Sequence, residues 1–364
     1  MPSYELPTPT LLVDLDIMER NLHRMSAWAA EHRIGLRPHV KTHKSPVVAA
    51  QQLRQGAIGL TCATPREAEV MAQVSSDLLL AYPPVGGDRA RRLAALPAHV
   101  RPMVGLDSAE AIEVVGAAAL AADRSIRVLV ELDLGMGRVG VATPEEAVAL
   151  ARRADRHEGL EFAGVMFYPG HLRQPGPALE AGLQQLNVDL AARLEALRSA
   201  GLEPGIVSGG STPTAWQSHR VPGLTEVRPG TYVYNDRSTV LAGACDREDC
   251  ALTVLATVVS TAVGGQAVID AGSKALARDP RSGDPAAGFG ELLDHPEVVV
   301  RAMSEEHGIL DLGGTAWRPR VGDQVQVVPD HVCVAVHLHE RVHGIRHGAL
   351  ETTWMVEARG RLPA

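Results

Sequence analysis

Two rhythms of apolar and polar positions divide the chain. Up to about residue 240, short apolar runs of strand length alternate with longer stretches of helical period. Thr10–Leu15 is the first apolar run, and Asp16 reads as the N-cap of an amphipathic helix reaching about Glu31. Strand-length runs follow at Leu36–Lys41, Ile58–Cys62, Leu78–Tyr82, Arg101–Gly105, Ile126–Leu134, Glu161–Tyr168, Gly205–Ser208 and Thr225–Arg228. Helical stretches separate most of them: Pro46–Arg54, Pro65–Val74, Asp88–Ala95, Ser108–Ala122, Pro144–Arg156 and Pro177–Ala200. Thr64-Pro65-Arg66-Glu67 and Thr143-Pro144-Glu145-Glu146 carry good N-cap chemistry, with proline at the first helical position. Strands interleaved with helices in this way predict an α/β fold, a (β/α)8 barrel of the TIM type, over an open doubly wound sheet. Ser211–Pro222 offers no long helix for the last unit.

Near Leu241 the pattern changes to short β-rich runs: Ala251–Thr261, Gln266–Asp270, Val298–Met303, Asp323–Val328, Val332–Leu338 and Thr352–Val356. Gly264-Gly265 and Val321-Gly322-Asp323 mark turns between them. This predicts a C-terminal all-β domain. The expected division is 16–240 for the barrel and 1–15 plus 241–364 for the β-rich domain.

Composition narrows the function classes. The 364 residues are 45% hydrophobic and 21% charged, a globular balance with length for two domains. A net charge of −8 argues against a nucleic-acid partner. No apolar run is long enough for a membrane span, and Met1–Glu5 lacks a basic segment leading into an apolar core. Four cysteines in so long a chain are no disulfide framework, so the expected location is the reducing cytoplasm.

Candidate chemistry begins at Leu36–Pro46, where Arg37, His39, Lys41, His43 and Lys44 crowd together. On a strand, alternation places Arg37, His39, Lys41 and His43 on one face, with Lys44 beyond it. A lysine among cations gives up its proton more readily, as a covalent-catalysis lysine must. A solvated basic loop has the same composition. In barrels, catalytic groups gather at the C-terminal ends of strands. Lys41, Glu131–Arg138, Tyr168–His171, Ser208–Pro213 and Arg228–Tyr232 all fall there. The Gly-rich turns Gly209-Gly210-Ser211-Thr212 and Gly230-Thr231 follow the last two strands, where backbone N–H groups cradle phosphates. Arg138 follows a glycine-rich turn and can donate to a phenolate. His331 and Cys333, two apart, point the same way on a strand and suit a divalent ion or a buried pair without metal. His337 and His339 continue that face, and Cys245 with Cys250 reads as structural.

Arg37-Pro38-His39-Val40-Lys41-Thr42-His43-Lys44 resembles the cofactor-lysine signature of the D-threonine aldolase and D-serine dehydratase family. These are fold-type III pyridoxal-phosphate enzymes, alanine racemase-like. Thr8–Asp14, Asp133–Gly140, Gly209–Pro213, Arg228–Tyr232, Asp270–Lys274 and His331–Cys333 extend the resemblance over nearly the whole chain. It implies a homodimer with sites at domain and subunit borders, pyridoxal 5'-phosphate, and a divalent metal (zinc, manganese or magnesium). It assigns Lys41 as the covalent lysine, with His39 as a neighbour at the cofactor. Arg138 falls to the phenolic oxygen and Tyr168 near the pyridine ring. Gly209, Gly210, Ser211, Thr212, Gly230 and Tyr232 fall in the phosphate segments, and His331 and Cys333 hold the metal. Many aldolases of the family carry His-x-Asp at that pair, whereas its dehydratases tend to carry His-x-Cys.

The implied reaction is D-threonine aldolase-type cleavage of a D-β-hydroxy-α-amino acid such as D-threonine to glycine and an aldehyde, with His171 or a metal-bound water as the candidate base. The alternative is dehydration of D-serine or D-3-hydroxyaspartate, which uses the same residues. An amino-acid racemase would not need the His–Cys pair. A non-catalytic pyridoxal-phosphate carrier would not need the β domain.

Overall fold

The structure is a computed structural model that describes residues 5–279 and 287–360. Contacts divide the chain into two compact units. Unit boundaries fall between Arg24 and Met25, between Lys41 and Thr42, after Ser45, between Gly230 and Thr231, and between Arg359 and Gly360.

The first unit is built on eight parallel strands. In spatial order they are Gly35–Leu36, Glu226–Val227, Ile206–Gly209, Leu160–Phe167, Ile126–Leu132, Arg101–Leu106, Asp77–Leu80 and Leu60–Cys62. Backbone bonds from Ile58 N–H to the Leu36 carbonyl (2.9 Å) and from Thr61 N–H to the Pro38 carbonyl (2.8 Å) join the first strand to the last. A His39–Thr61 bridge completes the barrel. Leu79, Met103, Leu129 and Met166 fill its interior, each essentially inaccessible to water.

The crossover helices begin where the sequence signals them. Thr143 accepts the Glu146 N–H while the Glu146 carboxylate accepts the Thr143 N–H, a capping box worth about 1 kcal/mol. Pro46–Arg54 has the expected bounds, and Pro177–Ser199 is the longest crossover helix. After Ile206–Gly209 only the 3-10 turn Ala215–Arg220 forms. At the chain start, Asp14 rather than Asp16 is the cap: Asp14 Oδ1 accepts the Ile17 N–H at 2.9 Å and the helix runs Leu15–His32.

The expected strand Leu36–Lys41 is cut short. Only Gly35–Leu36 is a strand, and Val40–Thr42 coils into a 3-10 turn. The single cationic face therefore does not exist. Arg37 turns into the barrel, where its Nε lies 2.9 Å from both Glu226 carboxylate oxygens and its Nη1 2.6 Å from Asp77. His43 is buried, and its Nδ1 accepts the Ser45 N–H at 3.1 Å.

The second unit is a mixed sheet. Strand Thr10–Asp14 pairs antiparallel with Leu252–Ser260 and parallel with Arg341–Arg346. Further strands are Gln266–Ile269, Gly290–Leu292, Val300–Met303, Gly308–Asp311, Gln324–Pro329 and Ala349–Met355. Leu12, Leu255 and Ile345 pack at its core.

One expected strand is a helix. Val332–Leu338 alternates β-branched residues in sequence but folds as a two-turn α-helix. Its buried positions are Val332, Ala335 and Val336, the i, i+3, i+4 spacing of a helical face. Asp236 Oδ2 accepts the Val332 N–H at 3.0 Å, satisfying a donor at the helix start. Burial of one helical face and this cap override the β-propensity of the valines.

Candidate active site

Within the barrel unit, the Tyr168 ring is the centre of the candidate site. Lys41 Nζ lies 5.7 Å from its centroid and the Arg138 guanidinium carbon 5.0 Å from it. The three residues come from the ends of different strands: Lys41 from the turn after Gly35–Leu36, Tyr168 directly after Leu160–Phe167, and Arg138 from the loop after Ile126–Leu132. This is the catalytic end of a barrel. His39 supports the lysine through the backbone, its Nδ1 accepting the Lys41 N–H at 3.4 Å.

The loops carry glycine where close approach demands it. A Cβ on Gly170 would stand 2.1 Å from the Tyr168 ring, so glycine lets the ring fold back on its own loop. Gly135 has φ +103° and a Cβ there would meet the His171 imidazole at 3.1 Å. His171 thus lies against the loop that carries Arg138. Asp133 Oδ1 shapes that loop by accepting the Gly135 and Gly137 N–H groups, each at 3.0 Å.

Gly209 ends its strand against Phe167, where a Cβ would sit 2.2 Å from the ring, and Gly210 is left-handed at φ +81°. Ser211 and Thr212 follow, both buried. Thr214 Oγ1 accepts the Ser211 N–H at 3.2 Å and lies 3.1 Å from Ser211 Oγ, closing a hydroxyl-rich turn. Gly230 is buried at the end of the unit.

A string of buried charge runs beneath these loops. Arg228 Nη1 donates to Ser208 Oγ at 2.5 Å, Nη2 donates to the Phe167 carbonyl at 2.8 Å, and Ser208 Oγ donates to Glu226 at 2.6 Å. Glu131 is buried on strand Ile126–Leu132. Desolvation pushes its carboxyl above the usual carboxylate range, against the pull of Arg228 and Arg138; Asp107 adds to the push. Glu131 and Arg228 stand in the sequence at strand ends, yet only the closed barrel shows them facing one another's charge. A carboxylate directly after the apolar run Val128–Val130 was the available signal.

Within the β unit, His331 is the N-cap residue of helix Val332–Leu338 and Cys333 lies in its first turn. They belong to a helix start, which corrects the strand geometry expected for them. His331 Nδ1 is 2.8 Å from Asp279 Oδ2. Cys333 Sγ is 3.2 Å from Thr42 Oγ1 and 4.0 Å from Thr231 Oγ1. Asp330 is buried, with Arg237 Nη1 at 3.4 Å. Tyr232 is buried in the 3-10 turn Thr231–Val233. His339 Nε2 lies 3.0 Å from the Ala275 carbonyl, and the strand face expected to continue through His337 and His339 does not form because Val332–Leu338 is a helix. Among the described residues, no group of three or more His, Cys, Asp or Glu side chains assembles as a metal cage. Asp279 and Thr42 are partners that the sequence reading missed, because neither stands near His331 and Cys333 in the chain.

Family comparison matches residues 13–238 to the N-terminal domain of alanine racemase and residues 251–345 to a serine dehydratase domain. The chain is 33% identical over 368 residues to the D-threonine aldolase of an Arthrobacter species, covering 99% of this chain and 94% of that one. The chain belongs to the D-threonine aldolase/D-serine dehydratase family. Like its alanine racemase-like relatives, it is an enzyme of the pyridoxal-phosphate-dependent lyase class. Among family structures, the D-threonine aldolase of Filomicrobium marinum superposes with a TM-score of 0.90 at 33% identity, covering 99% of this chain and 97% of that one. The D-threo-3-hydroxyaspartate dehydratase of Delftia sp. HT23 superposes at 0.86 and 33% identity, covering 96% and 97%. A structure of a cysteine-to-alanine variant of a D-threo-3-hydroxyaspartate dehydratase, in the metal-free form, superposes at 0.85 and 32% identity. Alanine racemases themselves share the fold at TM-scores near 0.70, for example 0.71 at 13% identity.

Among the described residues, no helix is long and apolar enough to cross a membrane.

Proposed function

We propose that this family member is a pyridoxal-phosphate- and divalent-metal-dependent lyase of the D-threonine aldolase type, cleaving small D-β-hydroxy-α-amino acids to glycine and an aldehyde. The observation that carries the reading is the bracketing of the Tyr168 ring by Lys41 and Arg138 at the strand ends of the barrel. These residues suit the cofactor chemically. Lys41 would hold it covalently, Arg138 would donate to its phenolic oxygen, and Tyr168 would pack at its ring. Gly209, Gly210, Ser211, Thr212, Gly230 and Tyr232 would take its phosphate, the left-handed Gly210 letting backbone N–H groups approach.

The metal reading rests on donor chemistry. A neutral imidazole and a thiolate suit zinc or another borderline divalent ion, and a two-residue set leaves positions open for substrate. His331 and Cys333 would hold that ion. Bound pyridoxal phosphate supplies an electron sink at Cα, and a bound divalent ion acidifies the substrate's β-hydroxyl.

The chain's own residues do the rest. His171, lodged against Gly135, accepts the β-hydroxyl proton. The Cα–Cβ bond then breaks, the aldehyde leaves, and a proton returned to Cα completes glycine. Arg138 keeps positive charge on the phenolic side while Arg228 ties Ser208 and the Phe167 carbonyl together at the loop bases.

One feature favours a second reading. Cys333 takes the position where the family's aldolases often carry aspartate and its dehydratases carry cysteine. A dehydratase of D-serine or D-3-hydroxyaspartate would use Lys41 to remove the Cα proton while the β-hydroxyl departs. Incubation with D-threonine, D-serine and D-threo-3-hydroxyaspartate separates the two. Acetaldehyde and glycine from D-threonine support the aldolase. Pyruvate and ammonia from D-serine, with D-threonine inert, sink it.

A further inference from the structure

Segment Ala271–Asp279 meets helix Val332–Leu338 at both ends. At the start, Asp279 Oδ2 lies 2.8 Å from His331 Nδ1. At the finish, the Ala275 carbonyl lies 3.0 Å from His339 Nε2. The segment itself is anchored: Ala275, Leu276 and Ala277 are buried, and the Ala275 and Leu276 N–H groups close onto the Gly272 carbonyl at 2.9 and 2.8 Å. Asp279 stands two residues after the buried Ala277. His331 is also held from its other side, because Asp236 pins the Val332 N–H and Arg237 pairs with Asp330.

An imidazole has two distinct nitrogens, and the partner of one decides the role of the other. A carboxylate acceptor at Nδ1 places the ring proton there and makes Nε2 the basic nitrogen. A carboxylate on the far nitrogen also fixes ring orientation and strengthens the metal-facing one as a donor. We propose that Asp279 is a positioning residue for the metal pair: it holds His331 through Nδ1 so that Nε2 is the nitrogen given to the divalent ion. This rests on the metal reading above. It adds a residue that neither motif spacing nor chain proximity connects to the site.

The test is zinc affinity of the full-length, cofactor-loaded protein, measured by competition with a chromogenic chelator. Wild type, Asp279→Asn and His331→Ala are compared, each with its thermal midpoint and cofactor absorbance. Cobalt(II) d–d spectra of the first two report the ligand field directly. The expected result is a ten- to hundred-fold weaker zinc affinity for Asp279→Asn, the range for lost outer partners of metal-bound histidines. Its cobalt spectrum shifts, while midpoint and cofactor absorbance stay at the wild-type values. Asp279 is half exposed, so the substitution leaves folding intact. Equal zinc affinity and an unchanged cobalt spectrum in Asp279→Asn, with His331→Ala defective, would overturn the role of Asp279 alone. A wild-type protein with no zinc affinity, or one equal to His331→Ala, overturns the metal reading and this inference with it.

Discussion

The side-chain nitrogen of Lys41 lies 5.7 Å from the centre of the Tyr168 ring. Two residues 127 positions apart in sequence meet because both sit at the same end of barrel strands. Arg138 approaches the same ring at 5.0 Å. Beside this ring and its two cationic neighbours we propose that the flat, electron-withdrawing cofactor lies.

Lys41→Ala should abolish the absorbance band of covalently bound pyridoxal phosphate, whereas Lys44→Ala should keep it. Lys44 is buried at a left-handed φ of +51°, and its carbonyl accepts the Ala358 N–H. Visible spectra of the two purified variants after loading decide between the lysines. A band that survives in Lys41→Ala and vanishes in Lys44→Ala reverses the assignment.

Gly170→Ala should displace the Tyr168 ring, because the new Cβ would stand 2.1 Å from it. The backbone at Gly170 is not left-handed, so the strain is purely steric. Moving a ring by about 1 Å at a reacting centre costs roughly 100-fold in rate. Turnover of D-threonine and thermal stability, measured together, should show a large loss in the first and a small one in the second.

Glu226→Gln should destabilise the barrel by about 3–5 kcal/mol, the usual cost of removing one member of a buried ion pair. Both Arg37 and Glu226 are about 3% exposed, and the carboxylate is shared between Arg37 and Ser208. Arg37 keeps Asp77 at 2.6 Å, which limits the loss. Urea unfolding of the variant against wild type measures it.

Glu131 should give the enzyme a pH-dependent stability of defined sign. Burial raises its carboxyl pKa in the folded state. Between the unfolded and folded values, the folded chain binds the extra proton, so stability falls as pH rises through that window. The contribution is complete below the ordinary carboxylate range and is lost above the raised folded value. Unfolding free energies of wild type and Glu131→Gln across this range should converge at neither end: their difference should shift toward the variant with rising pH. A difference that runs the other way would mean that Arg228 and Arg138 outweigh desolvation.

The candidate site was only partly legible. Lys41, Tyr168 and Arg138 were candidates from their place after apolar runs, and the fold brings Lys41 and Arg138 to the Tyr168 ring. Lys41 does not stand on the expected strand face, because Val40–Thr42 is a 3-10 turn. Arg37, one of the supposed neighbours, spends its charge on Glu226 and Asp77 inside the barrel. Short-range alternation cannot register that two carboxylates, 40 and 189 positions away, claim the guanidinium.

Helix Val332–Leu338 shows the same limit from the other side. Its valines alternate as a strand would, but the choice between periods lay with the burial of Val332, Ala335 and Val336 and with the Asp236 cap. Asp279 and Thr42 were invisible for a related reason, since His331 and Cys333 acquire them across 52 and 291 positions.

The sequence by itself determined the alternation of strands and helices, the barrel fold, the β-rich C-terminal part and the family, because apolar period, capping residues and local motifs are encoded residue by residue. Only the tertiary structure decided which charges are paired, which backbone turns into a helix and which carboxylate faces which histidine. Those outcomes depend on desolvation and on partners distant in the chain, and a buried charge takes its partner from whatever the closed fold brings beside it.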